Sequence, residues 1–472
     1  MPALLVPPKP PVPARELPLR AFLRATRTNA LTMWPLAAYD EPARVGSFFG
    51  RTSVLLNEPS AIRHVLVDNP ENYRRSPASI RILRPLTGNG LLLSEGEDWR
   101  LQRRTIAPAL APRVLPMLAR HIVAVAGETV SALRPRTGAP IELFPIIQRT
   151  ALEIAGRSMF SLEMRDFGAG LRAMIAEFGM RHARPRLPDL ILPPAIPTFG
   201  DVGRRLFQHR WMRFMSTVMH AREAVSPGAE ARDLFDLLRA ARDPETGRGF
   251  THDQLRDQIA TMILAGHETT GVTIFWALTL LAHAPEAQAR VAAEMHGLDL
   301  ATVVARGSIP DLPYTRAVVS ETLRLYPPAF TLARMAKAAD QAGDVAIPRH
   351  AIILIAPWVL HRHRRLWTEP DAFDPARFAP DAPAPPRFAY LPFGAGPRIC
   401  VGAQFALTEA TLVLAALIGA FEVALDGPRP VLPVAVVTTQ PDHSPTFRLR
   451  PRHPTGAPPC PSSTPSAATT PS

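Results

Sequence analysis

Phe393-Gly394-Ala395-Gly396-Pro397-Arg398-Ile399-Cys400-Val401-Gly402 decides how the rest of this 472-residue chain is read. The only other cysteine is Cys460, in a Pro/Ser/Thr-rich terminal stretch. One thiolate in a glycine-rich loop, with an arginine two residues before it and an apolar helical pattern after it, reads as a ligand site. The loop offers a single sulfur, whereas a closed zinc site wants four protein ligands. It suits a metal that brings most of its own ligands, as haem iron does with one axial thiolate. Gly394 and Gly396 allow positive φ and close backbone approach. Arg398 presents a forked cation to a carboxylate. Phe393 covers the sulfur, and Gly402 lets the next helix lie close to a flat ring. Taken alone, a lone cysteine is more often a small buried hydrophobe.

Composition narrows the classes. The formal charge is +12, and Lys9 and Lys337 are the only lysines, so the positive side is almost wholly arginine. No zinc finger, helix-turn-helix or aromatic-basic RNA motif accompanies it, so no nucleic-acid partner is expected. Biased composition on solvated faces, or an acidic protein docking on a basic face, accounts for the charge. The two cysteines form no disulfide framework, which points to a reducing compartment. No apolar run reaches the ~20 residues a membrane span needs, so no transmembrane anchor is expected. Residues 1–44 read as an irregular Pro-rich lead-in, 45–450 as a single domain and 451–472 as a disordered tail, with Cys460 incidental.

Between the ends, helical spacing dominates at 201–224, 251–284, 312–326 and 403–421. Short β-rich runs occur at 53–56, 351–356 and 434–438, so the chain is mainly α with a small β region. Residues 184–200, rich in Pro, Leu and Ile, read as a loop: an access flap or a Pro-stiffened packed loop. Thr251 and Gln254 form a capping box opening a helix of roughly 50 Å that Pro285 stops. Its middle, Ala265-Gly266-His267-Glu268-Thr269-Thr270, puts a carboxylate among apolar neighbours, and burying it unpaired is costly. The glycines and threonines favour a local bulge that accepts oxygen or water. A salt-bridged Glu at a capped kink fits those residues equally well.

The decapeptide resembles the haem-binding signature of the cytochrome P-450 family: Phe, Gly, Arg, Cys and Gly at their fixed spacing. Ala265–Thr270 is similar to that family's oxygen-activation motif, and the likeness spans roughly residues 45–450 in the family's motif order. The resemblance implies the cytochrome P-450 fold, soluble bacterial type, with haem b as cofactor. It implies Cys400 as the iron ligand, with Glu268 and Thr269 as the catalytic pair delivering protons. Phe393, Gly394, Arg398 and Gly402 then cradle the haem. Trp99 and Arg103 in Trp99-Arg100-Leu101-Gln102-Arg103, and Arg334, look like haem propionate partners. Glu321 and Arg324 match the structural Glu-x-x-Arg motif, with Arg377 as their downstream partner. Leu264, Ala265, Ala329, Phe330, Thr331 and the turn 438–444 are placed at the substrate by the same likeness. Departures are His350, where glycine is usual, and His363, where an acid or Asn is frequent.

The implied activity is monooxygenation of a hydrophobic substrate such as a fatty acid, terpenoid or polyketide: one atom of O2 enters it and the other becomes water. No flavin or iron–sulfur motif follows, so electrons come from NAD(P)H through a separate ferredoxin or flavodoxin with its reductase. A cytoplasmic monomer is expected, with peripheral contact at a membrane surface as the variant. The rival readings are a peroxide-driven or isomerising haem-thiolate enzyme, and a non-catalytic haem-binding protein.

Overall fold

The computed structural model describes residues 4–164, 167–193, 195–224 and 231–452. The labelled elements, in chain order, are α1 (Leu19–Thr28), β1 (Ala43–Phe48), β2 (Arg51–Leu56), β3 (Tyr73–Arg75), α2 (Pro77–Thr87), α3 (Gly96–Ile106), α4 (Leu115–Leu133) and α5 (Leu143–Phe160). They continue with α6 (Phe199–Glu223), α7 (His252–His283), α8 (Pro313–Leu325), β4 (Leu332–Ala336), β5 (Ile352–Ile355) and α9 (Ala403–Ala420). The last four are β6 (Phe421–Asp426), β7 (Pro433–Ala435), β8 (Thr439–Pro441) and β9 (Thr446–Pro451). Shorter helices join them.

Helix α7 is the axis of the molecule. Thr251 Oγ1 accepts from Gln254 N–H at 3.3 Å and Gln254 Oε1 accepts from Thr251 N–H at 3.0 Å, so the capping box forms at its start. Its 32 residues span about 48 Å. A helix apolar all round must be covered on every side. Leu255, Ile259, Ile263 and Leu264 join the core under α6; Ile274, Trp276 and Leu280 join the core shared with α4, α5 and α9. The expected bulge does not interrupt it: the helix runs unbroken through Gly266 and Gly271. The Thr269 and Thr273 hydroxyls donate back to the carbonyls of Ala265 and Thr269 without opening the ladder.

The β portion sits to one side. A five-stranded sheet has the order β1-β2-β5-β4-β3, antiparallel except for β2 with β5. A second sheet joins Ile141–Glu142 to β9 and β6. The run 434–438, expected as one strand, is instead the inner half of the β7–β8 hairpin, with residues 436–438 at the turn.

Two further expectations change. Residues 19–39 of the supposedly irregular lead-in hold α1 and two 3₁₀ turns, and β1 starts at Ala43. Ala21, Phe22 and Ala25 recur there at helical spacing, a pattern masked by the surrounding prolines. The loop 184–200 contains the short helix Leu187–Ile191, and α6 begins inside it at Phe199. Buried Asp189 accepts two bonds of 2.7 Å from Arg204. Arg81, from α2, donates to the carbonyls of Pro193 and Ile196. These bonds hold the described part of the segment as a packed structure. The tail beyond 452, with Cys460, lies outside the described residues. Helix α9 is long and apolar enough to cross a membrane by length and composition, contrary to the expectation that no stretch is; it lies mostly buried in the main core.

Beneath the cysteine loop, Glu321 and Arg324 are fully buried. Arg324 reaches both Glu321 oxygens at 2.7 Å and donates to the carbonyls of His361, Pro370 and Ala372. Asp374 N–H donates to Glu321 at 2.9 Å, and Arg377 Nε lies 3.6 Å from the same carboxylate. Removing one member leaves an uncompensated buried charge, which costs about 3–5 kcal/mol. Arg324→Met is therefore expected to lower the urea unfolding free energy by about that amount. An unfolding midpoint equal to the parent's would contradict the role.

Candidate functional site

The cysteine loop is set by its own backbone and by what lies behind it. Cys400 N–H donates to Phe393 O at 2.9 Å, closing the loop, and Gly394 N–H donates to Leu391 O at 3.2 Å. Gly394 and Gly396 have φ of +70° and +73°. A Cβ on Gly396 would stand 1.9 Å from Leu66 O, so only glycine fits there. Leu391 N–H donates at 2.8 Å to His361 Nε2, which makes Nδ1 the protonated nitrogen, donating to Arg324 O at 3.2 Å. Burial first, then the Arg324 charge, pushes His361 down to about 3, so the imidazole is neutral.

Cys400 faces a cavity of about 360 Å³ between α7 and the loop. Its sulfur is exposed to that cavity yet surrounded by protein. Enclosure is the larger influence and pushes the thiol up, while Gly402 N–H and the Arg103 charge pull the other way. A metal at the sulfur reverses that balance, because coordination deprotonates a thiol outright.

One edge of the cavity is cationic. Arg75, Arg103, Arg334 and Arg398 line it together with Trp99. Arg398 lies 4.4 Å above the Trp99 ring and pairs with Glu95 at 2.8 Å; Arg103 donates to Ile399 O at 2.9 Å. Arg75 and Arg334 are register partners on β3 and β4. Burial, then Arg334 and Arg398, brings Arg75 down to about 9; burial, then Arg398, brings Arg334 to about 10. Arg75 Nε is buried without a hydrogen-bond partner among the described residues. Arg75, Arg334 and Arg398 thus share Glu95 as counter-charge, and a ligand with two carboxylates would relieve this edge. At the loop, a Cβ on cavity-lining Gly402 would meet no atom within 4 Å, so open space lies beside it. This donor set fits the expected haem: one sulfur, a cationic edge for propionates and room for a ring.

On α7, the cavity face carries Thr261, Met262, Ala265, Gly266, Thr269, Thr270 and Thr273. Glu268 points elsewhere. It is buried, accepting from Thr438 Oγ1 at 2.7 Å and from Gln440 Nε2 at 2.6 Å, and it does not line the cavity. His267 beside it donates from Nδ1 to Ile263 O at 3.1 Å, and burial pushes its pKa down.

Of the five residues placed at the substrate, Ala265 and Ala329 line the cavity. Leu264 does not, because one residue is a 100° turn of the helix and carries it into the core under α6. Phe330 packs against the main core, and Thr331 Oγ1 is buried without a partner. Both run into β4, where backbone alternation turns side chains from one face to the other. Residues of the turn 438–444 hold Glu268 and do not line the cavity.

Two residues escaped the sequence reading. Arg75 becomes visible only through its pairing with Arg334. Glu409 left a signal, being the one charged residue in α9. It lines the cavity, its Oε1 has no partner among the described residues, and burial alone holds its carboxyl well above the usual carboxylate range.

The sequence profile described as Cytochrome P450 matches residues 44–445. The chain is 33% identical over 368 residues to cyclooctat-9-en-7-ol 5-monooxygenase of Streptomyces melanosporofaciens, covering 76% of this chain and 77% of that protein. It is 29% identical over 403 residues to pentalenene oxygenase of Streptomyces avermitilis, covering 83% and 86%. The solved haem domain of cytochrome P450DA superposes with a TM-score of 0.80 at 25% identity, over 96% of this chain and 98% of that one.

Glu409 makes stability pH-dependent with a definite sign. In the unfolded chain it ionises near 4.5, whereas the folded protein keeps it protonated to higher pH. Its contribution is complete below the unfolded value and is lost as pH rises toward the folded one. Glu409→Gln removes that loss. Between about pH 5 and about pH 8, the variant's urea midpoint should decline less than the parent's, and parallel profiles would refute the neutral carboxyl.

Proposed function

From the premise that this chain belongs to the cytochrome P450 family and is a haem-thiolate monooxygenase carrying haem b, we propose that it oxygenates a neutral, largely hydrocarbon substrate. The observation that carries this is the cavity wall. Away from the arginine edge it is built of Leu91, Leu92, Leu110, Leu118, Met159 and Met262, with hydroxyl and amide groups as its polar members besides Glu409. Such a wall favours a compact apolar molecule, with at most a hydroxyl, over a fatty-acid carboxylate. The relatives' names point the same way, to cyclooctat-9-en-7-ol and pentalenene.

In this reading Cys400 holds the iron, and Arg75, Arg103, Arg334, Arg398 and Trp99 hold the propionates. When bound, haem b supplies dioxygen reduction and oxygen-atom transfer to the substrate. Thr269 stands on the cavity face and can turn its hydroxyl from Ala265 O into the cavity, where it would hold or pass on a proton. Glu268 is the proton carrier behind it, released from Thr438 and Gln440 by a side-chain rotation. The apolar wall excludes bulk water, so protons enter by that route rather than by diffusion.

Electrons arrive through a separate ferredoxin or flavodoxin, whose acidic surface suits a chain of charge +12. The protein works in the cytoplasm with peripheral contact to membranes. Phe199, Val202 and Leu206 support that contact: they share one face of α6 and are exposed, Phe199 to 99%.

Reconstitution with NAD(P)H, a ferredoxin, its reductase and 18O2 should yield product with one labelled oxygen atom. Cys400→Ala should abolish the red-shifted Soret band of the reduced carbonyl form. Thr269→Ala should consume NAD(P)H with about tenfold less product. Neutral cyclic hydrocarbons should shift the haem spin state and fatty acids should not; the reverse order would overturn the substrate assignment. Vesicles of anionic lipid should co-sediment with the parent and about tenfold less with Phe199→Ser/Leu206→Ser; equal sedimentation would remove the membrane contact.

A further inference from the structure

The C-terminal turn of α6 and the first residue of α7 meet at a cluster that takes no part in the cavity. His220 and Glu223, three residues apart, share one face of α6. His252 opens α7 beside them. The two imidazole rings stack with centroids 5.7 Å apart and 26° between their planes. His220 Nδ1 lies 3.4 Å from a Glu223 carboxylate oxygen. One donor atom from each of the three lies within 4.8 Å of the other two.

We propose that His220, Glu223 and His252 bind a divalent transition-metal ion, zinc above all, which staples the end of α6 to the start of α7. Two imidazoles and one carboxylate are a zinc donor set, with a water completing the tetrahedron. Bonds of about 2.0–2.1 Å set tetrahedral ligand atoms about 3.4 Å apart. The three donors, within 4.8 Å of one another, need close by no more than about 1.4 Å to reach that spacing. All three side chains are exposed, so χ rotations can make that adjustment without disturbing the core. The backbone positions are already held, because Met215, Val218 and Met219 of α6 pack in one cluster with Leu255 and Ile259 of α7. Imidazole nitrogen favours zinc, nickel and copper over magnesium and calcium, which seek oxygen donors. The ion would therefore join two helices that otherwise meet through apolar contact, one of which carries the cavity face with Thr269.

The test uses the haem-loaded full chain and zinc alone as the probe, in competition with a chromogenic chelator. The parent should take up one zinc ion that His220→Ala or His252→Ala releases, each weakening affinity at least about tenfold. Glu223→Gln should weaken it less. His209→Ala, an exposed histidine of α6 outside the cluster, should bind as the parent does. Zinc should raise the thermal midpoint of the parent but not of His220→Ala/His252→Ala. The reduced carbonyl spectrum of each variant verifies that the haem site is intact. Equal zinc uptake by the parent and the double variant, or a midpoint shift by magnesium as large as by zinc, would overturn the site. So would the absence of any uptake by the parent at micromolar zinc.

Discussion

The fully buried pair of Glu321 and Arg324 is the constraint on which the cysteine loop rests. Arg324 uses its guanidinium on one carboxylate and three carbonyls, so its position is determined from four directions. One of those carbonyls belongs to His361, whose ring then joins Arg324 O to Leu391 N–H. Leu391 O in turn receives Gly394 N–H, the first bond of the loop that presents Cys400. The low pKa of His361 belongs to this scheme: a protonated ring would bring a second cation beside Arg324 and lose the acceptor that Leu391 requires. An ion pair on one helix thereby reaches a sulfur far along the chain through hydrogen bonds alone.

The other side of the cavity is organised by unrelieved polar groups. Arg75 and Arg334 are brought together by strand pairing, at a cost in mutual repulsion that a dianionic ligand would offset. Burial holds the Glu409 carboxyl well above the usual carboxylate range, and its Oε1 meets no partner among the described residues. Glu268, one residue from the cavity face, is instead satisfied by the β7–β8 hairpin. The same low-dielectric interior gives all three outcomes, and the partner within reach decides which one applies.

The cysteine loop, the capped helix α7 and the Glu-x-x-Arg pair were legible in the chain because each is local: glycine dihedrals, capping spacing and an i,i+3 pair are written within a few residues. The family match over residues 44–445 agrees with what those motifs implied. Errors arose where side-chain direction mattered. Leu264 and Ala265 are neighbours in sequence but point into different environments, and Phe330 turns into the core next to cavity-lining Ala329. The α1 segment was hidden by prolines that flank a short amphipathic pattern.

By itself, the sequence determined that a single cysteine stands in a glycine loop before an apolar helix, and that a long helix carries an acid–threonine pair. Those follow from short-range backbone preferences and residue chemistry. Tertiary structure alone decided that Arg75 faces Arg334, that Thr438 and Gln440 hold Glu268, and that His361 ties the ion pair to the cysteine loop. Each of these joins residues far apart in the chain through strand register or helix packing. No local preference encodes such a meeting; it exists only once the core has set the elements side by side.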